Sequence, residues 1–370
     1  MSIVAKTSLD EFTILCAETP TMSRREKSTE SMKSMLAVAA YGLALGMMAA
    51  GTAQAQITIP TVTVGDVSNP NDSTGYGAVS YVYNIAVTEV NLFQYTAFLN
   101  AVAATDTYNL YHTSMGTNAS IEGITQSGSS GNYSYTVIGT ATRPVTYVSW
   151  FDAARFANWV ANGQPTGAQV NATTEDGAYT LNGAMSGNLS ISKNGINPNT
   201  ATTTTWWIPS ENEWYKAAYY QPVAQGGDSD SYWLYPTASN TIAGNTIGVA
   251  DSANYYDGDI AKNQNSLPSV LTDGGAYGSN SASFYGTYDQ GGNVGEWNDA
   301  VIGSSRGIRG ASWINNDLDL LSSSRNGSDP TLEFFYVGFR VASVPEPSTA
   351  VLMLMGGGLW LLWRRRKVTL

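Results

Sequence analysis

Gly292-Asn293-Val294-Gly295-Glu296-Trp297, with Arg309-Gly310-Ala311-Ser312-Trp313 after it and Gly338-Phe339-Arg340 at the end, is the stretch whose reading decides the fold of this chain. By residue type the first segment is a glycine-rich turn flanked by two carboxylates, Asp289 and Glu296. Such a turn directs backbone carbonyls inward and the carboxylates add charge. Hard oxygen donors on a flexible loop are what calcium needs. The same residues can instead close an Asx-turn with Glu296 in a salt bridge. Upstream, Trp206-Trp207-Ile208-Pro209 reads as a buried strand end. Ser210-Glu211-Asn212-Glu213 then forms a capping box, which predicts a short helix to about Tyr220.

Further toward the N-terminus the signals alternate. Residues 56–85 are β-branched and polar with Asn-Pro and Gly-Tyr-Gly turns, and predict short strands. Thr88-Glu89-Val90 opens a helical stretch, with Leu92, Tyr95, Leu99 and Val102 at helical spacing. The Gly/Ser/Asn-rich residues 117–140 predict a hairpin. Ser149, with Asp152 three residues on, caps a second helix carrying Trp150, Ala153, Ala154, Ala157 and Val160 on one face. Residues 163–205 are too long for a bare loop and predict hairpins. From Gln225 to Ala342 regular periodicity mostly fails. No low-complexity linker interrupts residues 56–343, so a single domain is expected there.

Read in order, Arg143-Pro144-Val145, Val148-Ser149-Trp150, Trp207 to Trp214, Ala253-Asn254-Tyr255, Tyr285 to Asp289, Gly292 to Trp297, Arg309 to Trp313 and Gly338-Phe339-Arg340 resemble the formylglycine-generating enzyme family, also called the sulfatase-modifying factor family. The resemblance covers roughly residues 80–342. It implies an α+β fold, a variant of the C-type lectin fold with much irregular chain. It also implies calcium on the side chains of Asp289 and Glu296 and the carbonyls of Gly292 and Val294. A second family site implies Asn254 and Tyr255, with Asp273, Asp257 or Asp259 as the acid. The aerobic members hold copper on two cysteines, the first three residues after the Ser of the Arg-Gly-Gly-Ser motif and the second five further on. Here those places hold Asn315 and Leu320, neither of which supplies the thiolate that Cu(I) takes. The related sulfoxide synthases use three histidines on iron, whereas this chain has His112 alone, with no partner pattern around it. No copper or iron is therefore expected, and no catalytic residue is assigned.

Asn315, Asn316, Asp317 and Asp319 surround the vacated positions and read as a solvated polar loop or the rim of a binding pocket. Trp206, Trp207, Trp214, Trp297 and Trp313 look like a sugar-stacking set, but core filling is the stronger reading. Arg309 and Arg340 are expected to be structural, bonded to buried carbonyls or to a carboxylate such as Glu213.

The ends of the chain read as addresses. A basic start at Met32, an apolar run from Leu36 to Ala50 and Ala53-Gln54-Ala55 make a signal peptide, with translation expected to begin at Met22 or Met32. At the other end, Pro345-Glu346-Pro347, an uncharged run to Trp363 and Arg364-Arg365-Arg366-Lys367 resemble the PEP-CTERM sorting signal. That resemblance implies an exosortase-type sorting protease and a Gram-negative bacterium that makes exopolysaccharide. Residues 347–363 form a short C-terminal transmembrane helix at the lower edge of spanning length, holding the protein to the inner membrane before processing. The expected organisation is a leader 1–55, a domain 56–344 and a sorting segment 345–370.

Composition narrows the function classes. The full chain of 370 residues has a net charge of −11 and is 13% charged and 11% aromatic. Residues 56–345 alone hold 9 Lys and Arg against 23 Asp and Glu, a net −14. That excess disfavours nucleic acid and acidic lipid as partners. One cysteine and one histidine exclude a disulfide scaffold and a Ser-His-Asp triad of the usual kind. The reading is an exported cell-surface or matrix protein, a calcium-stabilised binding or structural module whose partner is an exopolysaccharide or another envelope component. The alternative is an enzyme of the same superfamily, an oxidoreductase or a hydrolase, with altered chemistry.

Overall fold

The computed structural model describes residues 56–345, apart from residue 122, residues 188–189 and residues 260–269. The expected signal peptide and the expected C-terminal transmembrane helix lie outside the described residues. Within them, no helix is long and apolar enough to cross a membrane.

Three helices form where side chains close their ends. Helix α1 (Leu92–Val102) begins at Asn91, which accepts from the amide of Gln94 while Gln94 bonds back. The helix therefore starts later than Thr88-Glu89-Val90 suggested. Asn91 supplies the first cap, which leaves Glu89 in extended chain. Helix α2 (Trp150–Ala161) starts at the Ser149–Asp152 capping box, and α3 (Glu211–Tyr219) at the Ser210–Glu213 box. Acidic residues in the first turn of α3 and Lys216 in its last turn complement the helix dipole.

The strands are short. One sheet has the order β1 (Thr61–Val64), β2 (Tyr83–Ala86), β12 (Ala342–Ser343), β7 (Trp206–Trp207), antiparallel throughout. The second has the order β10 (Asn326–Ser328), β9 (Ser305–Arg309), β8 (Gly295–Ile302), β11 (Val337–Phe339). In it β8 pairs antiparallel with β9 and parallel with β11. The expected hairpin over 117–140 is β3 (Ile124–Ser127) with β4 (Ser134–Val137). Among the described residues of 163–205, one small hairpin forms, β5 (Ile196–Asn197) with β6 (Thr202–Thr203). The stretch from Gln225 to Ala342, which lacks periodicity, nevertheless supplies the whole second sheet.

Aromatic packing joins α1, α2 and β11. Phe98 meets Phe156 at 5.4 Å and Phe156 meets Phe339 at 5.4 Å, both edge to face. Of the five tryptophans read as core, Trp207, Trp214 and Trp297 are buried, while Trp206 and Trp313 are half-buried. The architecture is thus mixed α and β, with few helices and much irregular chain, and its two sheets meet at Arg340 between β11 and β12.

Candidate functional site

The turn before β8 folds because three residues in it take left-handed backbone: Asp289 at φ 57°, Gly292 at φ 79° and Asn293 at φ 56°. It is pinned to the segment that carries Asn254. The amide of Asn293 donates to the Asn254 carbonyl at 2.7 Å, and Asn254 Nδ2 donates to Asn293 Oδ1 at 3.1 Å. The structure therefore brings both groups of expected metal ligands, Asp289, Gly292, Val294 and Glu296 with Asn254 and Tyr255, onto adjoining segments.

Three buried carboxylates lie around one guanidinium. Glu296 receives Arg340 Nε on Oε2 and Nη2 on Oε1, each at 2.6 Å, and Trp214 Nε1 at 2.7 Å. Asp289 accepts from the amide of Gly275 at 2.6 Å. Burial pushes its carboxyl up to about 6. Glu89, 2% exposed, receives Asn293 Nδ2 at 3.2 Å on Oε1, while its Oε2 has no hydrogen-bond partner. Burial, then the charge of Asp289, holds Glu89 well above the carboxylate range. One arginine among three carboxyl groups is too little positive charge for all three to ionise, so Glu89 keeps its proton unless a cation joins the cluster. Asn254 Oδ1 is likewise buried without a partner. Among the described residues no three His, Cys, Asp or Glu side chains converge to hold a metal by themselves. A cation here would therefore lean on carbonyls as well. The two orphaned oxygens are of the hard type that calcium takes.

Of the three acids expected to complete the second site, Asp273 lies 3.7 Å from Arg143 and is half-exposed. Arg309 and Arg340 are structural, with one correction. Arg309 pairs with Glu211 at 2.8 Å and bonds the carbonyls of Ser322 and Ser324. Glu213 is committed instead to Trp207 Nε1, the amide of Ser210 and the Tyr81 hydroxyl.

Asn315, at the first of the two vacated cysteine positions, borders a cleft of about 270 Å³ whose lining also includes Gly295, Ser312, Asn326, Phe334 and Tyr336. Asn315 Oδ1 accepts from the Ser312 hydroxyl at 2.6 Å, and its Nδ2 donates to Asp319 at 3.3 Å. Leu320 is fully buried beside Tyr235, Tyr255 and Ala311. Asn316 caps the short turn Asp317–Leu320. Of the four residues expected at the rim, only Asn315 lines the cleft.

A second cluster carried no signal in the sequence. Its members are His112, Asp152 and Glu333. His112 stacks on Tyr147 and its Nδ1 accepts from the amide of Ser114, so the neutral ring's proton faces Glu333, 3.7 Å from Nε2. Glu333 stands beside Asp152 in the wall of one cavity. Two neighbouring buried carboxyl groups do not readily ionise together. Burial, then the neighbouring Asp152, pushes Glu333 up to about 8, and burial pushes Asp152 up to about 6. Folded-state values above the unfolded ones mean that the pair's stabilisation is complete below about pH 4. It is lost as pH rises through 6 and 8. We expect about 2 kcal/mol to disappear over that interval, after discounting for the partial exposure of Glu333, at about 1.4 kcal/mol per pKa unit. Glu333→Gln should flatten the decline in thermal stability. Burial lowers His112, which acts in the opposite direction. The quantity to read is therefore the difference between wild type and variant at about pH 5 and about pH 8.5, and parallel curves would refute the retained proton.

Comparison with known proteins follows these features. Residues 49–344 match the family described as the sulfatase-modifying factor enzyme 1-like domain, and residues 343–367 match the PEP-CTERM protein-sorting motif. Among solved structures, CarF is 21% identical, covering 78% of this chain and 99% of its own, with a TM-score of 0.44. The Treponema denticola variable protein 1 is 18% identical, covering 79% and 94%, with a TM-score of 0.40. PvdO from Pseudomonas aeruginosa is 16% identical, covering 78% and 92%, with a TM-score of 0.39. No curated protein matches the chain. The sorting motif marks an exported, envelope-directed protein handled by exosortase-type machinery.

Proposed function

The chain belongs to the sulfatase-modifying factor enzyme 1-like family, and from that premise we propose that it is a non-catalytic binding or structural module of the cell envelope. The observation that carries this reading is the pair Asn315 and Leu320. By the family resemblance these positions hold the copper thiolates. Here one is an amide bonded to Ser312 and the other an apolar side chain sealed among aromatic rings. Neither offers a soft ligand. The cleft beside Asn315 keeps polar groups on its wall and is the natural seat for a partner such as an exopolysaccharide or another envelope component. The protein would reach the surface or matrix of a Gram-negative cell, passing through a membrane-anchored stage held by residues 347–363.

Calcium would steady the frame. Asp289, Glu296 and the carbonyls of Gly292 and Val294 would hold one ion, and Asn254 with the Tyr255 carbonyl would contribute to a second. Glu89 is an additional ligand that only the fold brings near. Support comes from the excess of buried carboxylate over arginine and from the orphaned oxygens of Glu89 and Asn254. Calcium would supply charge neutralisation rather than chemistry. Elemental mass spectrometry of the protein, dialysed against calcium-containing buffer, should find about one or two calcium ions per chain and no copper or iron. Chelation should lower the melting temperature by several degrees. Stoichiometric copper or iron would overturn the proposal.

A further inference from the structure

The carboxyl pair Asp152 and Glu333 does not stand on a solvated face. Together with Ser149, Arg155, Tyr108 and Met185 it lines a separate cavity of about 150 Å³. The chain between Pro330 and Val337 serves both cavities. Thr331 and Glu333 face this one, while Phe334 and Tyr336 face the cleft beside Asn315. The amide of Trp150 is anchored on the Pro330 carbonyl at 3.0 Å, which fixes the start of α2 against that segment.

Each polar group in the cavity has a defined state. Asp152 Oδ2 is held by the amide and hydroxyl of Ser149, at 2.8 and 2.6 Å, as the price of capping α2. Arg155 is fully buried, packs over the Tyr108 ring at 4.1 Å and gives Nε and one nitrogen of its fork to Glu175. Its remaining nitrogen, Nη1, has no hydrogen-bond partner at all. An unsatisfied guanidinium nitrogen this deep is costly and asks for an acceptor. The carboxyl pair, for its part, offers acceptors and one retained proton. Arg155 is balanced by Glu175, and burial keeps a proton on the carboxyl pair at neutral pH, so the cavity carries little net charge to hold a free ion. The ligand that satisfies both sides is neutral and carries donors and acceptors on neighbouring atoms. Hydroxyl groups do both. At about 150 Å³ and open to solvent, the cavity is well below a drug-sized pocket and takes one ring, part of it left outside, rather than a longer chain.

We propose that this cavity is a subsite for one neutral sugar ring, with adjacent hydroxyls bonded to Asp152 and Glu333 and a ring or hydroxyl oxygen accepting from Arg155 Nη1. The role is binding, not cleavage. Asp152 is committed to capping α2 through the amide and hydroxyl of Ser149, which does not leave the free pair of carboxyl groups that glycoside hydrolysis uses. The site is distinct from both the calcium turn and the Asn315 cleft, and does not depend on the reading of either.

The test is saturation-transfer difference NMR on the full chain with methyl glycosides of glucose, galactose and mannose as probes. At least one should show transfer to its ring protons. Glu333→Ala, which removes an acceptor while relieving carboxyl crowding, should weaken that binding about tenfold or more. Met185→Trp fills the mouth of the cavity from a residue that is 42% exposed, and should abolish binding while the fold persists. Arg155→Met is less informative because it strands Glu175. No transfer from any of the three glycosides would overturn the proposal. So would transfer that survives both variants, which would move the sugar to another surface. A calcium-binding step lost in Glu333→Ala, with no glycoside signal, would make the cavity a cation site and overturn it equally.

Discussion

Replacing Arg340 by Met is expected to destabilise the domain by about 3–5 kcal/mol, the cost of stranding a buried charge. The side chain is fully buried and uses its whole fork. Nε and Nη2 clamp Glu296 on β8, Nη1 donates to the carbonyls of Ala86 and Val87 at the end of β2, and Nη2 also reaches the Tyr288 carbonyl. One residue therefore ties the first sheet, the second sheet and the turn before β8. Its removal leaves Glu296, Asp289 and Glu89 buried together without the guanidinium that pairs with Glu296, an arrangement poorly tolerated in a low-dielectric interior. Against a total stability of about 5–15 kcal/mol this is a large fraction. Urea unfolding of the variant should show it directly. Glu296→Gln should cost less, because Asp289 remains to balance Arg340. The double variant Arg340→Met, Glu296→Leu should recover part of the loss, since an apolar pair replaces an uncompensated charge. A loss below about 1 kcal/mol for Arg340→Met would mean that the carboxylates are neutralised by protons rather than by the guanidinium.

The parts of this fold that were legible are those with local causes. Ser149 with Asp152, and Ser210 with Glu213, announce their helices because a capping box needs only four consecutive residues. The strand β8 was not legible as a strand. It pairs on both sides, opens with glycine and buries Glu296, Trp297 and Asn298 in succession, so the alternation of a half-exposed strand never develops. The site divides in the same way. Asp289 and Glu296 stood out because they flank a glycine-rich turn, and Asn254 because it falls in a motif of the family the chain resembles. Glu89 did not, because its partner Asn293 lies 204 residues away and the helix expected at Thr88 concealed it. The cluster of His112, Asp152 and Glu333 had no sequence signature for the same reason. Asp152 was legible only as a cap, and the contact with Glu333 exists because the 330–337 segment packs against the start of α2. Such pairings are set by tertiary topology, which local pattern does not encode.

Gly292→Ala is expected to cost about 3 kcal/mol, from left-handed strain and a displaced backbone hydrogen bond. At φ 79° any L side chain is strained, and a Cβ at this position would lie 2.3 Å from the Asn254 carbonyl oxygen and 2.8 Å from its carbon. Both obstacles are backbone, so no rotamer change relieves them. The carbonyl that must move is the one that receives the amide of Asn293. Gly303, also left-handed at φ 60° but with nothing within 4 Å, is the control. Gly303→Ala should cost about 1 kcal/mol, the conformational share alone. The difference between the two, read as a shift in urea midpoint at constant slope, measures how tightly the turn presses on the Asn254 segment. Equal costs would show that the contact is loose. The same variant also probes the calcium proposal from the backbone side. If carbonyls of this turn hold the ion, Gly292→Ala should lower calcium affinity even where the protein remains folded, whereas Gly303→Ala should leave it unchanged. An undiminished affinity in folded Gly292→Ala protein would remove the turn from the ion's coordination and leave Glu89 and Asn254 as orphans of another origin.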